Sequence, residues 1–407
     1  MPKSIIVRKE YSNRIQPFIN KSLIKVLMGQ RRVGKSYILL QLTEDIKKND
    51  PEANIIFIDK ELDEFSAIRN SKDLYTYVDT RLKEKGNYLF VDEVQEIDSF
   101  ELCLRSLLNE GKCDIYCTGS NARLLSGELA THLAGRYVAF EIHSLSYLEF
   151  LEFHNLKNDN ASLTQYLSIG GMPFLANFAS DPSASFEYLK NVYSSILLKD
   201  VVARENIRNV SFLENLVSYL VDNTGNISSA LNISKYLKSQ RMNLTPQTVI
   251  NYLHSLCNAF FVYRIPRADI NGLKIFEVGE KYYFEDIGIR NAIRSFNFRK
   301  DVNKLMENVV CLHLLRNQYK VFVGKSGDRE IDFIAEKNGK RSYIQVAYML
   351  YDEATVEREF GNLMSINDQY PKMVVTMDEV AIENYKGIKQ IHLREFLTAE
   401  LSGYFML

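Results

Sequence analysis

Residues 29–36 read Gly29-Gln30-Arg31-Arg32-Val33-Gly34-Lys35-Ser36, which satisfies the phosphate-loop pattern G-x-x-x-x-G-K-[ST] at every fixed position. The spacing solves one physical problem. Two glycines let the backbone turn tightly and bring successive N–H groups around a phosphate chain, and the helix that follows aims its positive end at the same anion. Lys35 adds a charge that bridges the β- and γ-phosphates, and the Ser36 hydroxyl can ligate the Mg²⁺ that travels with ATP. The flanks agree with the motif. Leu23-Ile24-Lys25-Val26-Leu27-Met28 reads as a buried strand, and Tyr37-Ile38-Leu39-Leu40-Gln41-Leu42 reads as a helix packed on a sheet. Gly29, Gln30, Arg31, Arg32, Val33, Gly34, Lys35, Ser36 and Tyr37 are therefore the expected nucleotide cradle.

A chain of 407 residues is long for one core, so two to three domains are expected. A net charge of -1 excludes a global attraction to nucleic acid or to an anionic membrane, so any nucleic-acid surface must be a local basic patch. The five cysteines include no C-x-x-C pair and no histidine at metal spacing; Cys103, Cys117 and Cys311 sit in apolar runs and read as core residues. The first six residues lack the apolar stretch of a secretion signal, and no uncharged run reaches transmembrane length. A cytoplasmic protein without a membrane partner is expected.

Further along, Asn54-Ile55-Ile56-Phe57-Ile58-Asp59 is a second strand. A helix over 71–85 follows, with Gly86 ending it. Tyr88-Leu89-Phe90-Val91 is a third strand, closing on Asp92-Glu93. An acidic residue at the end of an apolar strand, downstream of a phosphate loop, is placed to hold the magnesium shell beside Ser36. The adjacent Glu93 is placed to orient the water that attacks the γ-phosphate. Alone, an Asp-Glu pair at a strand end reads as a surface feature; beside the phosphate loop the chemical reading is preferred. The next helix is opened by Asp98 and Glu101 as a capping pair. Asp114-Ile115-Tyr116-Cys117-Thr118 is a fourth strand, ending near Ser120 and Asn121, where a γ-phosphate sensor would stand. Leu133-Ala134-Gly135-Arg136 leads into a fifth strand, 137–142. Arg136 reads equally as an arginine finger, a third catalytic residue beside Lys35 and Glu93, and as a solvated loop arginine. Alternating strands and helices predict a parallel sheet with helices on both faces.

These segments resemble a large prokaryotic family of AAA-type ATP-binding proteins. The likeness is carried by residues 29–36, Val91-Asp92-Glu93-Val94-Gln95, Thr118-Gly119-Ser120-Asn121-Ala122-Arg123-Leu124-Leu125-Ser126 and Gly135-Arg136-Tyr137. His143-Ser144-Leu145-Ser146-Tyr147-Leu148-Glu149-Phe150 and Gly170-Gly171-Met172-Pro173 extend it. The resemblance implies an ATPase followed by a C-terminal domain related to restriction-endonuclease folds, and a catalytic glutamate at Glu93. It would also place the segment around Gly170 against the nucleotide.

The expected organisation is α/β, with four parts. Residues 1–150 form a parallel-sheet P-loop ATPase domain and 151–205 a helical lid or linker. Residues 206–290 form a winged-helix-like domain and 291–407 a PD-(D/E)-x-K nuclease-like domain. In the third part, helices begin at Phe212, Ile227 and Pro246, the last after the turn Asn243-Leu244-Thr245-Pro246. Phe260-Phe261-Val262-Tyr263-Arg264-Ile265 and Lys274-Ile275-Phe276-Glu277-Val278 would be two wing strands around Asn271-Gly272. Gln247, Thr248, Asn251 and His254, with Lys235, Lys238 and Arg241, would then face DNA.

In the fourth part, Asn338-Gly339 is a type I′ hairpin signal. Counting outward, Asp332 faces Gln345 and Glu330 faces Ala347, and Glu307 on the preceding helix can join them. This resembles the PD-(D/E)-x-K core with two departures: Gln345 takes the second acidic place and Ala347 the lysine place. The expectation is a catalytically degenerate site of Glu307, Asp332 and Gln345, unless a relocated lysine such as Lys325 or Lys340 serves it. The whole then reads as an ATP- and Mg²⁺-dependent ATPase coupled to a DNA- or protein-binding surface. The alternatives are an ATP-licensed nuclease and a non-hydrolysing switch. The partner stays open between DNA, through 206–290 and 291–407, another protein and a second copy of the chain.

Overall fold

The computed structural model describes residues 6–122, 133, 135–178, 181–205, 207–242, 244–270, 272–294, 297–327, 329–380 and 384–401. Arg123, Leu124, Leu125, Ser126, Ala134, Asn243 and Asn271, which belong to expected motifs or turns, lie outside the described residues. The chain divides into two units: Met1–His143 with Asn258–Phe260, and Ser144–Cys257 with Phe261–Leu407. No helix among the described residues is long and apolar enough to cross a membrane.

The first unit is built on five parallel strands: β1 (Ile24–Met28), β2 (Asn54–Asp59), β3 (Asn87–Asp92), β4 (Asp114–Gly119) and β5 (Tyr137–Glu141), ordered β2-β3-β4-β1-β5. Every residue of β1, β3 and β4 is buried, as expected of central strands covered on both faces. Ile24, Val26, Ile56, Leu89, Val91, Ile115 and Cys117 join Leu74, Val78, Leu104 and Leu107 in one core. This sheet order brings the ends of β1, β3 and β4 together at one edge.

Two local expectations are corrected. The helix expected over 71–85 stops at Asp79. The Thr80 hydroxyl caps the Thr76 and Tyr77 carbonyls, and the Asn87 side chain ties both Lys83 backbone groups to the start of β3, so Leu82 is carried in a loop. The capping pair at Asp98 is also absent. The helix Phe100–Asn109 starts from Ser99 without a side-chain cap, because the Asp98 backbone is used in bonds to Arg69 and Ser71.

The second unit contains a seven-stranded sheet of β6 (Val262–Asp269), β7 (Ile275–Phe284), β8 (Lys320–Ser326), β9 (Arg329–Lys337), β10 (Lys340–Val346), β11 (Lys372–Thr376) and β12 (Lys389–His392), ordered β12-β11-β10-β9-β8-β6-β7. The three helices expected in the middle form over Val210–Asp222, Ala230–Ser239 and Pro246–Asn258. The expected wing does not stand apart. β6 pairs with β7 on one edge and, in parallel, with β8 on the other, so the sheet runs across the boundary expected after residue 290. An isolated two-stranded hairpin is marginal in water, and a third partner strand supplies the missing pairing.

The β9–β10 hairpin turns through Asn338 and Gly339 at φ 53 and 76, and Lys337 faces Lys340, as the turn signal predicts. The Gly170-Gly171 pair has a packing reason within this unit. A Cβ at Gly170 would lie 2.4 Å from the Gly288 nitrogen, and one at Gly171 would lie 2.4 Å from the Leu145 carbonyl oxygen. The buried Asp286 carboxylate accepts from the Gly171 and Ile289 N–H groups at 2.7 and 3.0 Å.

Candidate nucleotide site

The phosphate loop leaves β1 at Met28 and enters the helix Lys35–Asn49. Gly29 is required by space: a Cβ there would lie 2.1 Å from the Ile142 carbonyl oxygen. Arg32 and Gly34 take positive φ of 70 and 98, which curls the loop back over the helix start. Lys35 is 4% exposed, and its Nζ donates to the Gly29 and Gln30 carbonyl oxygens, each at 3.0 Å. Val33 is buried, Arg31 pairs with Glu61 at 3.3 Å, and Arg32 and Tyr37 are exposed.

The acidic doublet arrives from the tip of β3. Asp92 accepts from the Thr118 hydroxyl on neighbouring β4 and lies beside the Ser36 hydroxyl. Burial pushes its carboxyl above the usual range, while the Ser36 and Thr118 hydrogen bonds pull it back down. A carboxylate and a hydroxyl, both hard oxygen donors, thus meet where Mg²⁺ would be held.

Glu93 turns through φ 53, and its N–H donates to the Thr118 hydroxyl at 2.8 Å. One carboxylate oxygen lies 3.9 Å from Lys35 Nζ. The other accepts from the Gln95 amide and, at 3.2 Å, from the Ser120 hydroxyl. Ser120 and Asn121 are buried just past the end of β4. The sheet therefore gathers Lys35, Ser36, Asp92, Glu93 and Ser120, residues far apart in sequence, into one contact network.

Arg136 is the exception. It precedes β5 and is exposed, and β5 pairs in parallel with β1 from Ile24 onward. Its backbone carbonyl accepts from Ile24 N–H at the start of β1, whereas the phosphate loop leaves the other end. Four strand residues separate the two, about 13 Å along the strand. Of the readings open for Arg136, the parallel pairing bears on one: Arg136 does not reach the phosphate loop of its own chain, and its exposed place fits the solvated loop arginine.

A residue that the motif search missed is Arg8. Its guanidinium donates to the Val33 carbonyl at 2.9 Å and to the His143 carbonyl at 3.0 Å, and its own N–H donates to Gln41 at 3.0 Å. It braces the outer side of the phosphate loop. No local pattern marks it, because the groups it bonds, two backbone carbonyls and the Gln41 side chain among them, are distant in sequence.

Residues 21–151 match the family model of an AAA domain, and residues 160–300 match that of a domain of unknown function. An uncharacterized protein of Haemophilus influenzae is 31% identical over 404 residues, covering 98% of this chain and 100% of that protein. An uncharacterized protein of Methanocaldococcus jannaschii is 30% identical over 380 residues, covering 88% and 80%. The chain belongs to the same family as these two proteins. Among solved structures, a Walker-type ATPase of Pyrococcus abyssi superposes with a TM-score of 0.51 at 15% identity, covering 72% of this chain and 97% of that one. At that identity the likeness is one of fold. With the AAA-domain match, it makes the first unit an AAA-type P-loop ATPase domain.

The second unit holds the other expected residues. Gln247, Asn251, His254, Lys235, Lys238 and Arg241 are exposed and Thr248 half-buried; Gln247 donates to Asn251 at 3.1 Å along the same helix face. Glu307, Asp332 and Gln345 do come together. The Asp332 N–H donates to the Gln345 side-chain oxygen at 3.4 Å, and the Val346 N–H donates to Asp332 at 3.0 Å. The lysine beside them is neither Lys325 nor Lys340. It is Lys281 on β7, whose Nζ lies 3.2 Å from Glu307, 3.0 Å from Glu330 and 3.2 Å from Asp332. The sequence ends the expected wing strand at Val278 and the nuclease-like part begins at 291, so Lys281 falls between the two and is not a candidate there.

Proposed function

We propose that the protein is an ATPase whose nucleotide state is coupled to a DNA-binding surface on its second unit. The observation that carries the catalytic part is the convergence of Lys35, Ser36, Asp92 and Glu93 at one sheet edge. Lys35 would exchange its loop carbonyls for β- and γ-phosphate oxygens, which carry formal charge and form stronger bonds. Ser36 and Asp92 would hold Mg²⁺, whose role is to neutralise charge on the phosphates. Glu93 would take the proton of the attacking water once Gln95 and Ser120 release its carboxylate, and Ser120 and Asn121 would turn to the γ-phosphate.

The coupling part rests on the exposed polar face of the helix Pro246–Asn258, flanked by Lys235, Lys238 and Arg241. Such a face suits a groove reader with adjoining phosphate contacts. A mobility assay with duplex DNA, with and without ATP across a salt series, tests it. Steep salt dependence that changes with nucleotide supports the reading. Absence of retention at low salt in both states shifts the assignment to a protein partner.

A further inference from the structure

Three carboxylates converge on Lys281 from two elements: Glu307 from the helix Phe298–Arg316, and Glu330 and Asp332 from β9. The lysine side chain is 2% exposed. Burial works against its charge, yet the surrounding carboxylates outweigh that and hold its pKa above the usual lysine value. Four of the six carboxylate oxygens are engaged, Glu330 through its Oε1 at Lys281. Glu307 Oε2 accepts from Lys281 and from the Tyr283 hydroxyl at 3.0 Å, while Asp332 divides its two oxygens between Lys281 and the Val346 N–H. The backbone closes over Glu307 as well: a Cβ at Gly225 would lie 2.7 Å from its carboxylate oxygen. Among the described residues, no group of three or more histidine, cysteine, aspartate or glutamate side chains is arranged to hold a metal ion.

We propose that Lys281 is the resident cation of this cluster, its ammonium standing between Glu307, Glu330 and Asp332 where a divalent ion would stand in a metal-dependent nuclease, so that the surface is metal-independent and nucleolytically silent. A divalent ion held by all three carboxylates would compete with Lys281, Tyr283 and the Val346 N–H for oxygen lone pairs. It would also have to sit within a few ångströms of a fixed positive charge. Gln345 and Ala347, where the nuclease pattern wants an acid and a lysine, are consistent with a site that has exchanged metal chemistry for an internal ion pair. The inference concerns the second unit alone and does not depend on ATP hydrolysis.

The test uses the full chain without nucleotide. The melting temperature of the wild type is expected to be the same in EDTA and in millimolar Mn²⁺. Lys281→Met leaves the carboxylates without their counter-ion. It is expected to melt about 5–10 °C lower in EDTA and to regain at least half of that loss in Mn²⁺. If Lys281→Met fails to fold, the triple variant with Glu307→Gln and Asp332→Asn, which also removes two of the charges, is expected to fold again. Failure of the triple variant, or of Mn²⁺ to stabilise a folded Lys281→Met, counts against the proposal. A Mn²⁺-induced rise in the wild type, or Mn²⁺-dependent nicking of supercoiled plasmid that disappears in Lys281→Met, overturns it and makes the lysine part of a working nuclease.

Discussion

Two buried lysines hold contrasting positions in this protein. Lys35 leans on two neutral backbone carbonyls and stands 3.9 Å from one carboxylate. Lys281 stands within 3.2 Å of three carboxylates. An ammonium on neutral oxygens gains by exchanging them for phosphate oxygens that carry charge. An ammonium already compensated by carboxylates has little to gain from any anion, and leaving would strand its partners. On the proposed ATPase reading, the first arrangement exchanges partners with a ligand, whereas the second is tied by its own carboxylates. The neighbours of each lysine, not the residue type, then decide between exchange and cohesion.

The largest effect expected from breaking this contrast is at Glu93. Glu93→Gln keeps ATP binding but lowers kcat by about 10²–10⁴, because the amide cannot accept the proton of the attacking water. Phosphate release under single-turnover conditions measures it, and unchanged turnover would remove Glu93 as the base. Next is Lys281→Met, which leaves carboxylates facing one another and costs about 3–5 kcal/mol of stability, read by denaturant unfolding. Lys35→Ala, in contrast, leaves folding nearly intact and weakens ATP binding by about 100-fold or more, measured by calorimetry. If both lysine variants proved equally destabilising, the contrast drawn above would fail.

A subtler difference lies in pH. Burial, with Asp332 adding to it against the opposing pull of Lys281, pushes the Glu307 carboxyl from an ordinary 4.5 up to about 7. Below about 7 the folded state keeps on Glu307 a proton that the unfolded chain releases near 4.5, so Lys281 then balances the charges of Glu330 and Asp332, and that of Glu307 only at higher pH. The stabilisation from this group is therefore complete below 4.5 and is lost as pH rises toward about 7. Glu307→Gln is expected to flatten that part of the stability profile, seen as a melting temperature that changes less between these values. The smallest expected effect is at Arg136. Arg136→Ala leaves the ATP affinity of a single chain within about twofold, since its place at the start of β5 is a strand length away from the loop.

Much of the first site was legible because its chemistry is local. The cradle 29–36 and the doublet Asp92-Glu93 each sit in a run whose flanks declare a strand or a helix, and the hairpin at Asn338-Gly339 declares its own turn. The misplaced residues share a different origin. For Arg136 the residue pattern keeps both a finger and a loop arginine open, and only parallel pairing with β1 puts it at the end of the sheet away from the phosphate loop. Lys281 was passed over because the expected wing strand ends at Val278, whereas β7 runs on to Phe284 as an edge strand of the seven-stranded sheet. Arg8 had no signal at all, since backbone carbonyls accept from an arginine without leaving a mark in the residue pattern.

By itself, then, the order of residues determined what depends on short-range geometry: a glycine-bounded loop between strand and helix, acidic groups at a strand tip, a two-residue turn and its register. The tertiary structure alone decided which distant groups became neighbours: Thr118 and Ser36 on Asp92, Ser120 on Glu93, and Lys281 among three carboxylates. The physical reason is that strand order and sheet membership are settled by burial of whole faces, which sums over many residues. Electrostatic pairing acts only after that sum has placed the charges within a few ångströms of each other.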